Sequence, residues 1–265
     1  MYEKRLCAFI DIMGFGDLVQ RSVRSPFLCN KIRDLLREVS RARPIWERDS
    51  PVDIIESRLR QQGVQHPKAE ANRLVDEYSS TERGTNFSDS IVLSAALNDH
   101  AITGFFTSLL FLSEGIAELG KYVRGAVCLG ELCHEPDICF GPALITAYDL
   151  EKNAEYPRII FTPEAYMQIS KVSLPNVGSL ALYIREDVDG QSFLDFLNKK
   201  AFELAGDFHT DKMNEIRREL NNQLIPSQLS DRVRKKLAWL ADYFNLTLEE
   251  EPIAGIDPLS TEFIE

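Results

Sequence analysis

The stretch Ala8-Phe9-Ile10-Asp11-Ile12-Met13-Gly14-Phe15-Gly16 governs how the rest of the chain is read. A hydrophobic run holds one carboxylate and is closed at once by glycines, the pattern of a buried strand passing into a tight turn. A second acidic residue stands in Asn86-Phe87-Ser88-Asp89-Ser90-Ile91-Val92-Leu93, where a turn-like Ser-Asp-Ser meets another apolar strand. Apolar burial alone selects neither carboxylate. If the two strands pair, Asp11 and Asp89 share a divalent cation, and carboxylate-bound metals of this kind usually serve phosphate substrates. The plainer alternative is that Asp11 caps its turn and Asp89 shapes the next one.

Outward from the first strand, residues 5–12, the pattern predicts a short helix over 17–23. A second helix over 27–43 carries Ile32, Leu35, Leu36 and Val39 on one face. Residues 44–84 turn polar and charged and read as a partly helical insertion, with helical stretches at 53–60 and 68–78. A strand over 89–95 and a long apolar, buried helix over 100–119 come next. The hairpin 122–132 and 138–140 then leads into a helix that Pro142 opens near its first turn. A strand over 158–161, a helix capped at Thr162 and a last strand over 179–185 complete the sheet. The remainder reads as helices over 192–205, 207–224 and 227–244. The fold class expected is α+β: a catalytic domain over 1–190 with an antiparallel-rich sheet, and a helical C-terminal extension over 191–265.

Composition narrows the function. The 265 residues carry a net charge of −11, which argues against nucleic acid as a partner, since backbone binding needs a basic face. A nucleotide stays compatible with it when a metal ion offsets the acidic balance. No apolar run reads as long enough to span a bilayer, and Met1 to Arg5 leads into a strand rather than a signal-peptide core, so a cytoplasmic protein is expected. Five cysteines with no Cys-x-x-Cys pair fit a reducing compartment. Cys128, Cys133 and Cys139 around His134 read as structural thiols rather than a zinc site. His66, His100, His134 and His209 form no ligand spacing.

The segment Phe9-x-Asp11-Ile12-x-Gly14-Phe15 resembles the first strand of class III nucleotidyl cyclases, and Phe87-Ser88-Asp89 resembles their second metal strand. Arg124-Gly125-Ala126-Val127-Cys128-Leu129-Gly130 is similar to their glycine-ending strand, and Phe140-Gly141 with Ala147 and Leu150-Glu151 to the helix after it. The likeness runs from residue 5 to about 185. It implies two Mg²⁺ or Mn²⁺ ions held by Asp11, Asp89 and the carbonyl of Ile12, with Gly14 and Phe15 in a backbone cradle for phosphates. It also implies a head-to-tail homodimer whose partner supplies base or transition-state contacts. The purine-reading Lys and Asp of the family fall here on Thr85 and Ile138, and its bracing Asn and Arg on Ile145 and Asp149.

Phe-Ser-Asp-Ser, Arg-Gly-Ala-Val, Phe-Gly-Pro-Ala and Ala-Tyr-Asp-Leu-Glu resemble most the pyrimidine cyclases of bacterial Pycsar anti-phage defence. That likeness implies conversion of UTP to cyclic UMP, or of CTP to cyclic CMP, and a separately encoded effector that senses the product. With the family's Asn and Arg replaced, transition-state charge needs another source. Arg124 and then Arg158 are the candidates, against the reading that each is a surface arginine in an ion pair. Tyr78 is a candidate for stacking on the pyrimidine. Tyr148 reads as a core or dimer-interface residue. Two other readings remain: a catalytically silent cyclase-like module that binds nucleotide, and a purine cyclase with unusual base contacts.

Overall fold

The computed structural model describes residues 1–41, 56, 59–60, 63–71, 82–135, 138–174, 178–200, 209–225 and 229–260. In chain order the elements are β1 (Glu3–Met13), α1 (Phe15–Ser22), α2 (Pro26–Arg41), β2 (Glu82–Phe87), β3 (Ser90–Ala95) and α3 (Asp99–Ala117). Next come β4 (Tyr122–Glu135), β5 (Ile138–Phe140), α4 (Pro142–Asn153), β6 (Ile159–Phe161), α5 (Pro163–Ile169), β7 (Ser173–Leu174) and β8 (Gly178–Ser179). A 3₁₀ turn (Leu180–Tyr183), β9 (Ile184–Glu186), β10 (Ser192–Leu194), α6 (His209–Leu224) and α7 (Asp231–Glu250) close the chain. The fold is mixed, with a mostly antiparallel main sheet in the order β2-β3-β1-β4-β6-β10-β9 and β5 paired to β4. Among the described residues only β4 and β6 run parallel in that sheet.

β1 is central because its alternation suits two cores at once. Leu6, Ala8, Ile10 and Ile12 enter the large core, which also takes in Phe105, Phe106, Leu109, Tyr243 and Phe244. Cys7 instead joins a smaller cluster with Cys128, Leu132, Ala143 and Ala147, and Phe9 packs against it. Asp11 continues the alternation of Cys7 and Phe9 and so faces away from the large core.

β4 lies beside β1 along its whole length, with Asp11 opposite Arg124 and Ile10 opposite Gly125. A Cβ at Gly125 would sit 2.7 Å from the Phe9 carbonyl oxygen, so the approach of the two strands next to Asp11 depends on that glycine. Gly125→Ala is expected to destabilise the fold by about 1–3 kcal/mol, because the clash is with backbone that cannot rotate away. A urea titration measures it, and unchanged stability would mean that β4 shifts freely.

Several sequence expectations need correction. β2 occupies the end of the expected insertion and the residues after it, where no strand is expected, because it is a polar edge strand with little apolar alternation. The last strand expected over 179–185 is a 3₁₀ turn followed by β9. The helix expected from residue 192 begins instead as β10, which pairs with β6 and β9. β9 and β10 pair on either side of residue 190, and residues from Leu6 to Leu259 contribute to one hydrophobic core. The expected helices at 53–60 and 68–78 lie largely outside the described residues.

α3 is long and apolar enough, by length and composition, to cross a membrane, contrary to the sequence reading, and it is 83% buried within the protein. Its start is fixed by Asn98, whose side chain accepts a hydrogen bond from the Ala101 amide at 2.9 Å. That burial accounts for its composition.

Candidate functional site

The β2–β3 hairpin places the Asp89 turn beside the end of β1 that carries Asp11. Its turn is Ser88-Asp89, with Ser88 at φ 58°, and β3 pairs with β1 so that Ser90 lies opposite Asp11. The Ile12 amide donates to the Asp89 carbonyl at 2.8 Å, which ties the turn to the end of β1. Asp11 is pushed above the usual carboxylate range by burial and by the charge of Asp89, against the opposing pull of Arg124 and Lys236. A half-buried carboxylate with a second acidic residue on the adjacent turn makes a place where a cation is stabilising.

Immediately after β1 the chain turns through Gly14 in the left-handed region, φ 74°, and enters α1. A side chain there would also press on Lys121, whose Nζ would lie 3.3 Å from the added carbon. Phe15, named from the sequence as a substrate contact, puts its side chain in the core at 8% exposure, so only its backbone can face a ligand. The Ile12 side chain is likewise buried, which restricts any ligand role to its carbonyl oxygen.

A cavity of about 520 Å³ opens beside Asp11. Met13, Gly14, Lys121, Tyr122 and Arg124 line one side, and Arg232, Lys236 and Leu240 of α7 another. Lys121 is held by Asp17 at 2.8 Å.

The structure brings Arg124 to the site and shows what occupies it. Its guanidinium donates to Glu151 at 2.6 Å and to the Ala154 carbonyl at 3.3 Å, while Asp11 stands 4.0 Å away. Glu151 is 4% exposed; burial raises its carboxyl and Arg124 draws it back down. Arg124 therefore links α4 to β4 and lends Asp11 only part of its charge.

Arg158 is not brought to the cavity. Its guanidinium pairs with Asp187 and Asp189, and it sits against the rings of Tyr156, Phe193 and Trp239. At 5% exposure it fastens β6 to α7 and to the loop before β10. Tyr78 lies outside the described residues. Tyr148 is 45% exposed and packs edge-on against Phe9 at 5.2 Å.

Thr85 is engaged in a buried network that sequence reasoning missed. Arg5 donates to Ser94 at 3.0 Å, and Ser94 and Thr85 flank the two nitrogens of His134 at 2.8 and 2.9 Å. Since Ser94 accepts from Arg5 and has its own hydroxyl to give, the arrangement favours Nδ1 as acceptor and Nε2–H as donor to Thr85.

Burial and the cations Arg5 and Arg83 push His134 down from 6.5 to about 4. Because the folded value is lowered, the unfolded chain takes up the proton first, and stability is lost as pH falls from about 6.5 toward 4. Between pH 7.5 and pH 5 the loss from this residue is about 2 kcal/mol. Denaturation of wild type and His134→Gln at both pH values tests it: the variant should lose less stability on acidification, and an equal loss would sink the assignment.

No protein-family model matches the chain, and no curated protein matches it. The functional reading accordingly rests on the site.

Proposed function

We propose that the protein is a class III-like nucleotidyl cyclase, a pyrimidine nucleotide cyclase that converts UTP to 3′,5′-cyclic UMP and pyrophosphate. The observation that carries this reading is the backbone hydrogen bond from Ile12 to Asp89, which holds the Asp89 turn to the end of β1 next to Asp11, beside a glycine turn and a cation-lined cavity. The donor set suits Mg²⁺ or Mn²⁺, which take few protein carboxylates and complete their shells with water and substrate phosphates.

Asp11, Asp89 and the Ile12 carbonyl would hold the ions. Ions held there would supply a lowered pKa for the ribose 3′-hydroxyl and offset the charge of the triphosphate and of departing pyrophosphate. The chain's own residues orient that chemistry. The Gly14 turn allows backbone to approach phosphate oxygens, Arg124 fixes the charge beside Asp11, and α7 forms one wall of the cavity. Thr85, paired to His134, and exposed Ile138 present no charged purine reader, which favours a pyrimidine. Preference for UTP over CTP rests on the resemblance alone.

The head-to-tail homodimer is part of the proposal. Phe87, Ile138, Phe140 and Ile145 are all exposed, Phe87 by 83% and Ile145 by 64%, and such apolar side chains suit an interface. By the same resemblance, cyclic UMP made on phage infection would signal to a separately encoded effector.

The test is to incubate the purified protein with Mn²⁺ and each of UTP, CTP, GTP and ATP, identifying products by mass spectrometry. Cyclic UMP with equimolar pyrophosphate is expected. A cyclic product from CTP or a purine alone would overturn the base assignment. Tight UTP binding with no cyclic product would favour the silent module.

A further inference from the structure

α7 supplies the cavity with two cations that the fold does not neutralise. Arg232 and Lys236 lie one helical turn apart and both line the cavity. Among the described residues neither has a carboxylate within ion-pair distance, and the Lys236 ammonium stands 4.0 Å from the Met13 sulfur. The other two cations of the cavity are committed, Lys121 to Asp17 and Arg124 to Glu151. Unpaired cations are conspicuous in a chain with 41 acidic and 30 basic residues.

Their placement is unfavourable without a ligand. Like charges at i and i+4 repel on a helix by a few tenths of a kcal/mol. Lys236 is partly buried, and burial, Arg124 and Arg232 all disfavour its charge, opposed by Asp11 and Glu151. Tyr122, another wall residue, has a buried hydroxyl with no hydrogen-bond partner among the described residues. The cavity thus holds uncommitted positive charge next to Asp11, with Asp89 on the turn beyond it. A simple monoanion would satisfy the cations but gain nothing from Asp11 and Asp89. A polyphosphate carrying a divalent cation satisfies both.

We infer that Arg232 and Lys236 bind the polyphosphate tail of the nucleoside triphosphate, which makes α7 part of the binding site. This role rests on the metal-site reading of Asp11 and Asp89. It is one that neither the sequence of the helix nor its core packing requires: Leu237, Leu240 and Phe244 hold it to the core, and the cationic pair lines the cavity.

Calorimetric titration of the full chain with inorganic tripolyphosphate and Mn²⁺ tests it without any need for turnover. Wild type should bind, and Arg232→Gln/Lys236→Gln should bind about 100-fold more weakly, roughly tenfold for each charge-assisted hydrogen bond removed. Lys236→Arg should stay close to wild type. Circular dichroism and melting of the double variant should match wild type, since Arg232 is exposed and Lys236 half-buried. Absence of wild-type binding, or equal binding by the double variant, overturns the inference. Tripolyphosphate binding by this pair with no cyclic product from any nucleotide would count against the proposed function and leave the inference standing. Cyclisation with an unchanged UTP KM in the double variant would do the reverse.

Discussion

On the proposed cyclase reading, Asp11→Asn is expected to lower cyclic UMP formation at least about a thousandfold while the protein stays folded, because it would remove a cation ligand and little volume. Asp11 sits at 27% side-chain exposure at the end of β1, where its carboxylate faces Arg124 and Asp89 rather than apolar neighbours. The amide is of nearly the same shape, so the strand pairing with β3 and β4 has no reason to change. A second readout separates metal loss from damage to the fold. Mn²⁺ at about a hundred times its dissociation constant stabilises a binding-competent protein by about 2.7 kcal/mol, and the variant should forfeit that stabilisation. Asp89→Asn should behave the same way. Full activity in either variant would remove the metal assignment.

Arg124→Ala has the second large effect, and the structure alters its expected form. From the sequence alone, Arg124 is a source of charge beside the site, and turnover should suffer more than stability. Its guanidinium is in fact committed to Glu151, and truncation strands a carboxylate that is 4% exposed between α4 and β4. Breaking such a pair from one side costs about 3–5 kcal/mol. For a chain of this size that is a fall in melting temperature of about 10 °C. Adding Glu151→Gln should recover part of it by removing the stranded charge, and turnover should still be reduced because Asp11 keeps no arginine beside it. A thermal melt of the single and double variants decides between the two roles. If Arg124→Ala melts with wild type, the arginine is not a structural link.

The range of each interaction determines whether it is legible in the sequence. β1 and β4 are legible because each carries a dense run of buried apolar residues, and α3 because most of its length is apolar. β2 is not: Glu82-Arg83-Gly84-Thr85-Asn86 becomes a strand only because β3 pairs with it. β10 reads as helix from Phe193, Phe196 and Leu197 at helical spacing, yet Phe193 pairs with Ile160 across the sheet and stacks edge-on against Trp239.

The site divides in the same way. Asp11 and Asp89 each interrupt an apolar pattern, so the local sequence exposes them. The commitments of Arg124 to Glu151 and of Arg158 to Asp187 and Asp189 span 27 to 31 residues and have no local signal. Arg232 and Lys236 leave a faint one: like charges one turn apart beside the apolar Leu237 and Leu240. That spacing is ordinary on a solvated helix, and only the placement of α7 against Asp11 gives it meaning.

Whether Asp11 and Asp89 hold divalent cations against a nucleoside triphosphate is tested most directly by electron paramagnetic resonance. The full chain is titrated with Mn²⁺ in the presence of 3′-deoxy-UTP, which lacks the attacking hydroxyl and cannot cyclise. Two Mn²⁺ ions per chain are expected in the ternary complex, with binding lost in Asp11→Asn and in Asp89→Asn. No nucleotide-dependent Mn²⁺ binding by the wild-type protein, or binding unchanged in both variants, would contradict the metal site and the cyclase reading built on it.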